Sequence, residues 1–363
     1  MTTRRAIPTF THVRIALVST PFVAVPPHGY GGTELVVHEL ARGLTAAGHQ
    51  VTLFATGDSR GPDVRFVYPR PVWPPDGQAE LRHCTTAARD IARESFDVVH
   101  AHAPAMLPLA GSLGAPLVYT LHHAHDEHLT RAYLAHPEVG YVAISARQAQ
   151  LEPELACHVV HHGLDTSRYP AGRGTRDDAV FLGRLVPCKG PDLAVAAARR
   201  AGLPIRLAGD VHAPDTTPAW QATLAAALAR PGVVRLGSVS GDRKLELLGG
   251  ARALLMPLRW EEPFGLVMIE AMLCGTPVIA FPRGAAPEIV EEGWTGYLVG
   301  DEEEMAAVLA GLGRFDRDAC RRRAQARFSA RRMVRDYERL YLAAAAVAGL
   351  DGDVEPRETT YAG

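Results

Sequence analysis

The chain reads as an α/β protein of two doubly wound parallel-sheet domains facing each other across a cleft, and three observations predict this. At 363 residues it is long enough for two domains that each bury a core. Short apolar runs bounded by turn residues alternate with amphipathic stretches, the pattern of strands buried on both faces and joined by helices. That alternation stops at a polar, Gly- and Arg-rich stretch and then restarts.

The first half opens with a strand at 13–20, passes a Pro/Gly-rich loop, and enters a helix at 33–47 that Gly48 stops; a strand at 50–56 completes a βαβ unit. Further strands are expected at 97–102, 116–122, 141–145 and 158–161. SRYPAGRGTRDD, residues 167–178, is expected to be the linker. The second half then gives strands at 179–185, 205–209, 233–236, 253–256 and 278–281, with helices between them. The expected division is 1–166 and 167–331, followed by helical sequence and a disordered tail at 350–363. Ligands of doubly wound sheets bind beyond the carboxyl ends of the strands, which makes the cleft the expected site.

A formal charge of -2 gives no reason to expect a nucleic-acid partner. Apolar residues make up 47% of the chain, yet no run reaches membrane-span length, so membrane association is not indicated. MTTRRAIPTF carries two arginines with no apolar signal core behind them, and a soluble cytoplasmic protein is the expectation. The five cysteines, at 84, 157, 188, 274 and 320, are odd in number, scattered and without a CxxC pair, which argues against a disulfide framework and a structural zinc site. The Arg-rich stretch 314–339 also carries Asp316, Asp318, Asp336 and Glu338, with Phe328, Val334, Tyr337 and Tyr341 at helical spacing. It reads as a solvated helix with one buried face.

The most informative segment is EEPFGLVMIEAMLCGTPVIA, beginning at Glu261. A Pro-Phe-Gly turn leads into a helix expected near Gly265, whose unpaired amides and positive dipole end form an anion site. Glu262 lies just before that site and Glu270 just inside the helix. Two carboxylates beside an anion-binding helix start suit a sugar and a ribose joined by a diphosphate. GRLVPCKG places Arg184 and Lys189 around one turn after the first strand of the second half, where a guanidinium fork and a point charge would meet a diphosphate well. In HGYGGTE, Gly31 and Gly32 sit between the first strand and the first helix and let backbone amides approach phosphate closely. Histidines crowd TLHHAHDEH at residues 120–128, but nothing there fixes a tetrahedral metal spacing.

EPFGLVMIE resembles the paired-glutamate signature of the retaining glycosyltransferases of family 4, whose GT-B fold has two Rossmann-like domains facing across a cleft. The resemblance extends from Val13 to about Tyr341 and is most specific in the second half, the donor side. It implies that Glu262 contacts donor-sugar hydroxyls, that Glu270 holds the nucleotide ribose, and that the amides of Phe264, Gly265 and Leu266 touch the diphosphate. It assigns Arg184 and Lys189 to the leaving diphosphate, and Gly31 and Gly32 to the diphosphate or the acceptor. A histidine at the end of the 116–122 strand, His122 or else His123, would hydrogen-bond the donor sugar. In HHGLDTSRY, His162 replaces the family's Asn. LAGD and LGSV, with Gly209 and Val239, resemble the strand ends that shape the base pocket. ARFSARRMVRDYERLY resembles the closing helix, expected at 332–347, which returns to pack on the N-terminal domain.

The expected activity is transfer of a sugar from a nucleoside diphosphate to a small-molecule, lipid or saccharide acceptor. Asp-x-Asp occurs only at 316–318 and 351–353, outside any strand end, so neither a metal nor another cofactor is expected. Rivals are a sugar phosphorylase or nucleotide-sugar epimerase on the same fold, and a non-catalytic nucleotide-sugar binding protein. A dinucleotide dehydrogenase fits less well, because GYGGTE lacks the full GxGxxG spacing.

Overall fold

The computed structural model of the chain describes residues 12–29, 31–211 and 216–351; of the tail expected from residue 350, residues 352–363 lie outside the described residues. The first half contains β1 (Arg14–Val18), α1 (Gly32–Ala46), β2 (Gln50–Ala55), β3 (Val64–Phe66), α2 (Gly77–Ile91), β4 (Val98–Ala101), β5 (Leu117–Thr120), α3 (Glu127–Leu134), β6 (Gly140–Ala143), α4 (Ala146–Leu151) and β7 (Cys157–Val159). The second contains β8 (Ala179–Leu182), α5 (Pro191–Arg200), β9 (Ile205–Ala208), α6 (Pro218–Leu228), β10 (Val233–Gly237), α7 (Gly241–Gly250), β11 (Ala253–Met256), α8 (Leu266–Leu273), β12 (Val278–Ala280), α9 (Ala286–Ile289), β13 (Gly296–Leu298) and α10 (Glu302–Gly311). Two helices close the chain, α11 (Arg317–Phe328) and α12 (Ala330–Asp351).

The strands form two parallel sheets, ordered β3-β2-β1-β4-β5-β6-β7 and β10-β9-β8-β11-β12-β13. This is the two-domain α/β architecture expected. Side-chain alternation along β1 explains the layering: Ile15 and Leu17 join the core under α1 and α12, whereas Ala16 and Val18 join the core under α2. The strand order reverses between β1 and β4 in the first sheet and between β8 and β11 in the second. Those two switch points are where an open α/β sheet leaves a crevice.

Two strands escaped the sequence reading. Both β3 and β13 are three-residue edge strands at the outer ends of their sheets, and neither shows a run of fully buried residues. The stretch 167–178 is not a free tether. Gly172 donates its amide to Cys274 O at 2.9 Å, and Gly174 and Arg176 donate theirs to Gly249 O and Gly250 O at 3.0 Å each. It therefore lies along the ends of α7 and α8.

α12 follows α11, whose Phe328 lies in the second-half core, and itself packs on the first half. Its buried Met333, Val334, Tyr337 and Tyr341 share a core with α1 and β1. Its polar tips are satisfied inside the first sheet: the Tyr337 hydroxyl lies 2.9 Å from Thr120 Oγ1, and the Tyr341 hydroxyl 2.7 Å from His100 Nδ1. The Arg-rich stretch is thus a pair of helices with one buried face.

Tyr337→Phe should lower unfolding free energy by about 1 kcal/mol through the lost hydrogen bond. Tyr337→Ala should lower it by about 3–5 kcal/mol through the cavity as well. Urea denaturation of the two variants checks this; equal losses would show that ring burial is not what α12 contributes.

Candidate active site

Arg184, Lys189, Glu262, Gly31 and Gly32 follow the strands that border the two switch points, whereas His122, Gly209 and Val239 follow neighbouring strands. Arg184 follows β8 by two residues and Lys189 ends the next turn, with Gly190 at φ 72° leading into Pro191 at the start of α5. Glu262 stands in the loop after β11, and Gly31 and Gly32 at the start of α1 after β1. Gly265 caps α8 in a left-handed conformation, φ 89°, which a side chain would strain. This turn lets the chain pass from the Glu262 loop into α8 with the first amides of the helix lacking intrahelical partners.

The two carboxylates are nearly removed from water, Glu262 at 7% and Glu270 at 5% exposure. Each is held by one lysine from elsewhere in the chain and by one aromatic side chain. Lys189 Nζ forms a short ion pair with Glu262 Oε2, and Trp260 Nε1–H donates to the same oxygen at 3.0 Å. The Lys189 ammonium also lies 4.6 Å from the Trp260 ring centre, a cation–π contact. On the other side, Lys244 Nζ donates to Glu270 Oε1 at 2.6 Å and the Tyr169 hydroxyl donates to that oxygen at 3.0 Å. Burial, with the Glu270 carboxylate beside it, holds the Tyr169 phenol well above its ordinary range. Sequence reasoning missed Trp260, Lys244 and Tyr169. Trp260 was within reach as an aromatic two positions before Glu262, whereas nothing local marks Lys244 or Tyr169.

Phe264 contributes only its backbone to any ligand, because its ring is buried among His162, His161 and Phe328. Leu266 packs on the cores of both halves and stands 3.2 Å from where a Cβ on Gly32 would lie. The glycine loop of the first half therefore meets the Phe264–Leu266 turn directly. Gly209 and Val239 take packing positions. A Cβ at Gly209 would fall 1.9 Å from Gly183 O, with φ at 138°, and Val239 is half-buried against the second-half core.

Four histidines run from the first sheet toward the Phe264 turn. The rings of His100 and His102 are tilted against each other with centroids 4.2 Å apart, His102 Nδ1 lies 2.8 Å from His122 Nε2, and His122 stacks on His162 at 5.5 Å. His162 in turn meets the Phe264 ring edge-on at 4.9 Å. His122 is half-buried, while His123 is exposed and offers Gln148 its carbonyl, at 2.7 Å. His102 Nε2 and His162 Nδ1 are buried with no hydrogen-bond partner. Burial keeps all four neutral, with His100 and His162 each pushed down to about 3 and His102 and His122 held well below the usual range. Among the described residues no group of three or more His, Cys, Asp or Glu converges as a metal site.

The halves are also joined by polar contacts beside the site. The Glu288 carboxylate of α9 accepts from the amides of Ala146 and Arg147 at 2.7 Å each and contacts His161 Nε2 at 2.9 Å. Burial opposes its charge, but those partners still hold its pKa below the usual range. Arg147 Nε donates to Glu261 at 2.8 Å, one residue from Glu262. On the first-half side, the sequence reading missed Glu34, a buried carboxyl that accepts from Thr20 Oγ1 at 3.0 Å and that burial raises above its ordinary pKa.

Comparison with known proteins gives this geometry a context. Residues 30–168 match the family model described as Glycosyltransferase Family 4, and residues 176–314 the one described as Glycosyl transferases group 1. The chain is 30% identical to an alpha-maltose-1-phosphate synthase of Mycolicibacterium smegmatis, over 82% of this chain and 88% of that one. It is 28% identical to a D-inositol 3-phosphate glycosyltransferase of Acidothermus cellulolyticus, over 84% of this chain and 83% of the relative. The crystal structure of AviGT4, a glycosyltransferase involved in avilamycin A biosynthesis, superimposes with a TM-score of 0.72 at 27% identity, covering 92% of this chain and 98% of that one.

The buried His162 gives a pH-dependent prediction. Its pKa is pushed down to about 3, first by burial and then by Arg332 and His161, whereas an unfolded histidine titrates near about 6.5. The stability tied to its neutral form is fully present above about pH 6.5 and is lost as pH falls toward the folded value. His162→Asn should therefore flatten the acid loss of unfolding free energy by about 1.4 kcal/mol per pH unit between about pH 6 and 4. Chemical denaturation across that range reads it, and parallel slopes for variant and parent would contradict it.

Proposed function

The chain belongs to glycosyltransferase family 4, and from that premise we propose that it moves a sugar from a nucleoside diphosphate to an acceptor hydroxyl, with retention at the anomeric carbon and without a metal ion. The observation that carries the reading is the pair of buried carboxylates, Glu262 and Glu270, flanking the start of α8 at the switch point of the second sheet, with Lys189 bound to the first.

In this reading the bond from the anomeric carbon to the diphosphate oxygen breaks, and negative charge gathers on the diphosphate. Arg184, Lys189 and the amides of Phe264, Gly265 and Leu266 stabilise that charge, a preorganised electrostatic effect. Glu262 orients the sugar, Glu270 receives ribose hydroxyls, and His122 meets the sugar from the first half. Gly31 and Gly32 bring backbone close to the diphosphate or the acceptor. The acceptor oxygen bonds to the same face of the anomeric carbon, and its proton passes to the departing phosphate oxygen. No separate base is required. Gly209 and Val239 stay in the proposal as neighbours of the base. A phosphorylated small molecule figures in the names of both curated relatives, so phosphorylated polyols belong in the acceptor panel beside saccharides and lipids.

Arg184→Ala and Glu262→Ala should each lower kcat/KM by roughly 10- to 150-fold, the loss of about 1.5 to 3 kcal/mol from one charge-assisted contact made chiefly in the transition state. Donor turnover with a panel of nucleotide sugars and acceptors measures this, and unaltered turnover in both variants would defeat the donor-site reading. The same assay in EDTA should run at the parent rate. Complete loss, restored by a divalent ion, would overturn the assignment of charge neutralisation to Arg184 and Lys189. Proton NMR of the first product formed from an α-linked donor should show an α anomer; a β anomer would remove retention from the account.

A further inference from the structure

We propose that Lys244 and Tyr169 are positioning residues that turn the Glu270 carboxylate so that one oxygen is committed to the protein and the other is presented to the ribose hydroxyls. This rests on the nucleotide-sugar reading given above. Both side chains donate to the same atom, Glu270 Oε1, at 2.6 and 3.0 Å, and among the described residues no hydrogen bond to Oε2 accompanies them. A carboxylate gripped through one oxygen by an ammonium and a phenol cannot rotate freely about its terminal bond, so the direction in which Oε2 accepts is set in advance.

The two donors come from separate parts of the fold. Lys244 lies on α7, and Tyr169 lies in the segment joining the halves, with its carbonyl held by Arg321. Arg321 also grips Leu273 O at the end of α8, which fixes Tyr169 to the helix that carries Glu270. The Lys244 ammonium compensates the charge of a carboxylate that is only 5% exposed. A purely structural ion pair would do the same, so the distinguishing property is selectivity for the ribose and not stability.

The test is isothermal titration of the parent, Lys244→Met, Lys244→Arg and Tyr169→Phe with UDP, ADP and GDP and with their 2′-deoxy counterparts. The parent should prefer the ribonucleotide of whichever base it binds. In Lys244→Met the dissociation constant for that ribonucleotide should rise about tenfold while that of the deoxy form rises less than about threefold, so the preference collapses. Lys244→Arg should restore most of it. Tyr169→Phe, nearly isosteric, should act in the same direction by about threefold. Equal weakening of ribo and deoxy forms, or an unchanged preference, would overturn the positioning role while leaving the donor site intact. A parent that binds none of the diphosphates would overturn the nucleotide-sugar reading itself, and this proposal with it.

Discussion

Two carboxylates almost removed from water, one in the loop before α8 and one midway along that helix, are the constraint around which the second half is arranged. Burying a carboxylate costs several kcal/mol unless a cation and hydrogen bonds compensate. The chain meets this twice, with Lys189 and Trp260 on Glu262, and with Lys244 and Tyr169 on Glu270. Lys189 comes from the turn after β8, Trp260 from the loop after β11, Lys244 from α7 and Tyr169 from the segment between the halves. Positions of four separate segments are therefore fixed by the need to neutralise two charges. In both cases the protein donors converge on one oxygen of the carboxylate.

The first half is coupled to that arrangement through packing and polar contacts together. Leu266 bridges the two cores, and the line of neutral histidines from His100 to His162 ends against the Phe264 ring. Glu288 and Glu261 hold the start of α4 to the second half. α12 adds a covalent strap, since it follows α11, which packs on α8, and buries Tyr337 and Tyr341 in the first half. A change in the Phe264 turn is thus felt on both sides of the cleft.

Much of this was legible in the sequence, because strands buried on both faces leave apolar runs and because the Glu262–Glu270 segment is local. A Gly at the αL cap, a helix behind it and two carboxylates at fixed spacing can be read from consecutive residues. The edge strands β3 and β13 were not legible, since three residues with little burial carry no periodic signal. The partners of the two glutamates were hidden for another reason. Lys244 is 26 residues from Glu270 and Tyr169 is 101 residues away, so their role arises only when the sheet and α8 bring them together. The composition of 167–178 marked it as the linker but not its course, and its glycines let the backbone lie on its neighbours, as 172–176 does along α7 and α8.

The central claim is that Lys189 and the paired glutamates hold a nucleoside diphosphate. The most direct measurement is a thermal-shift panel of UDP, GDP, ADP, dTDP and NAD at equal concentration, run on the parent and on Lys189→Met. A ligand at about a hundred times its dissociation constant adds roughly 2.7 kcal/mol, enough to raise the midpoint visibly. The account predicts a rise with at least one nucleoside diphosphate that Lys189→Met largely abolishes. No rise with any diphosphate, a rise with NAD alone, or a rise that Lys189→Met leaves whole would contradict it.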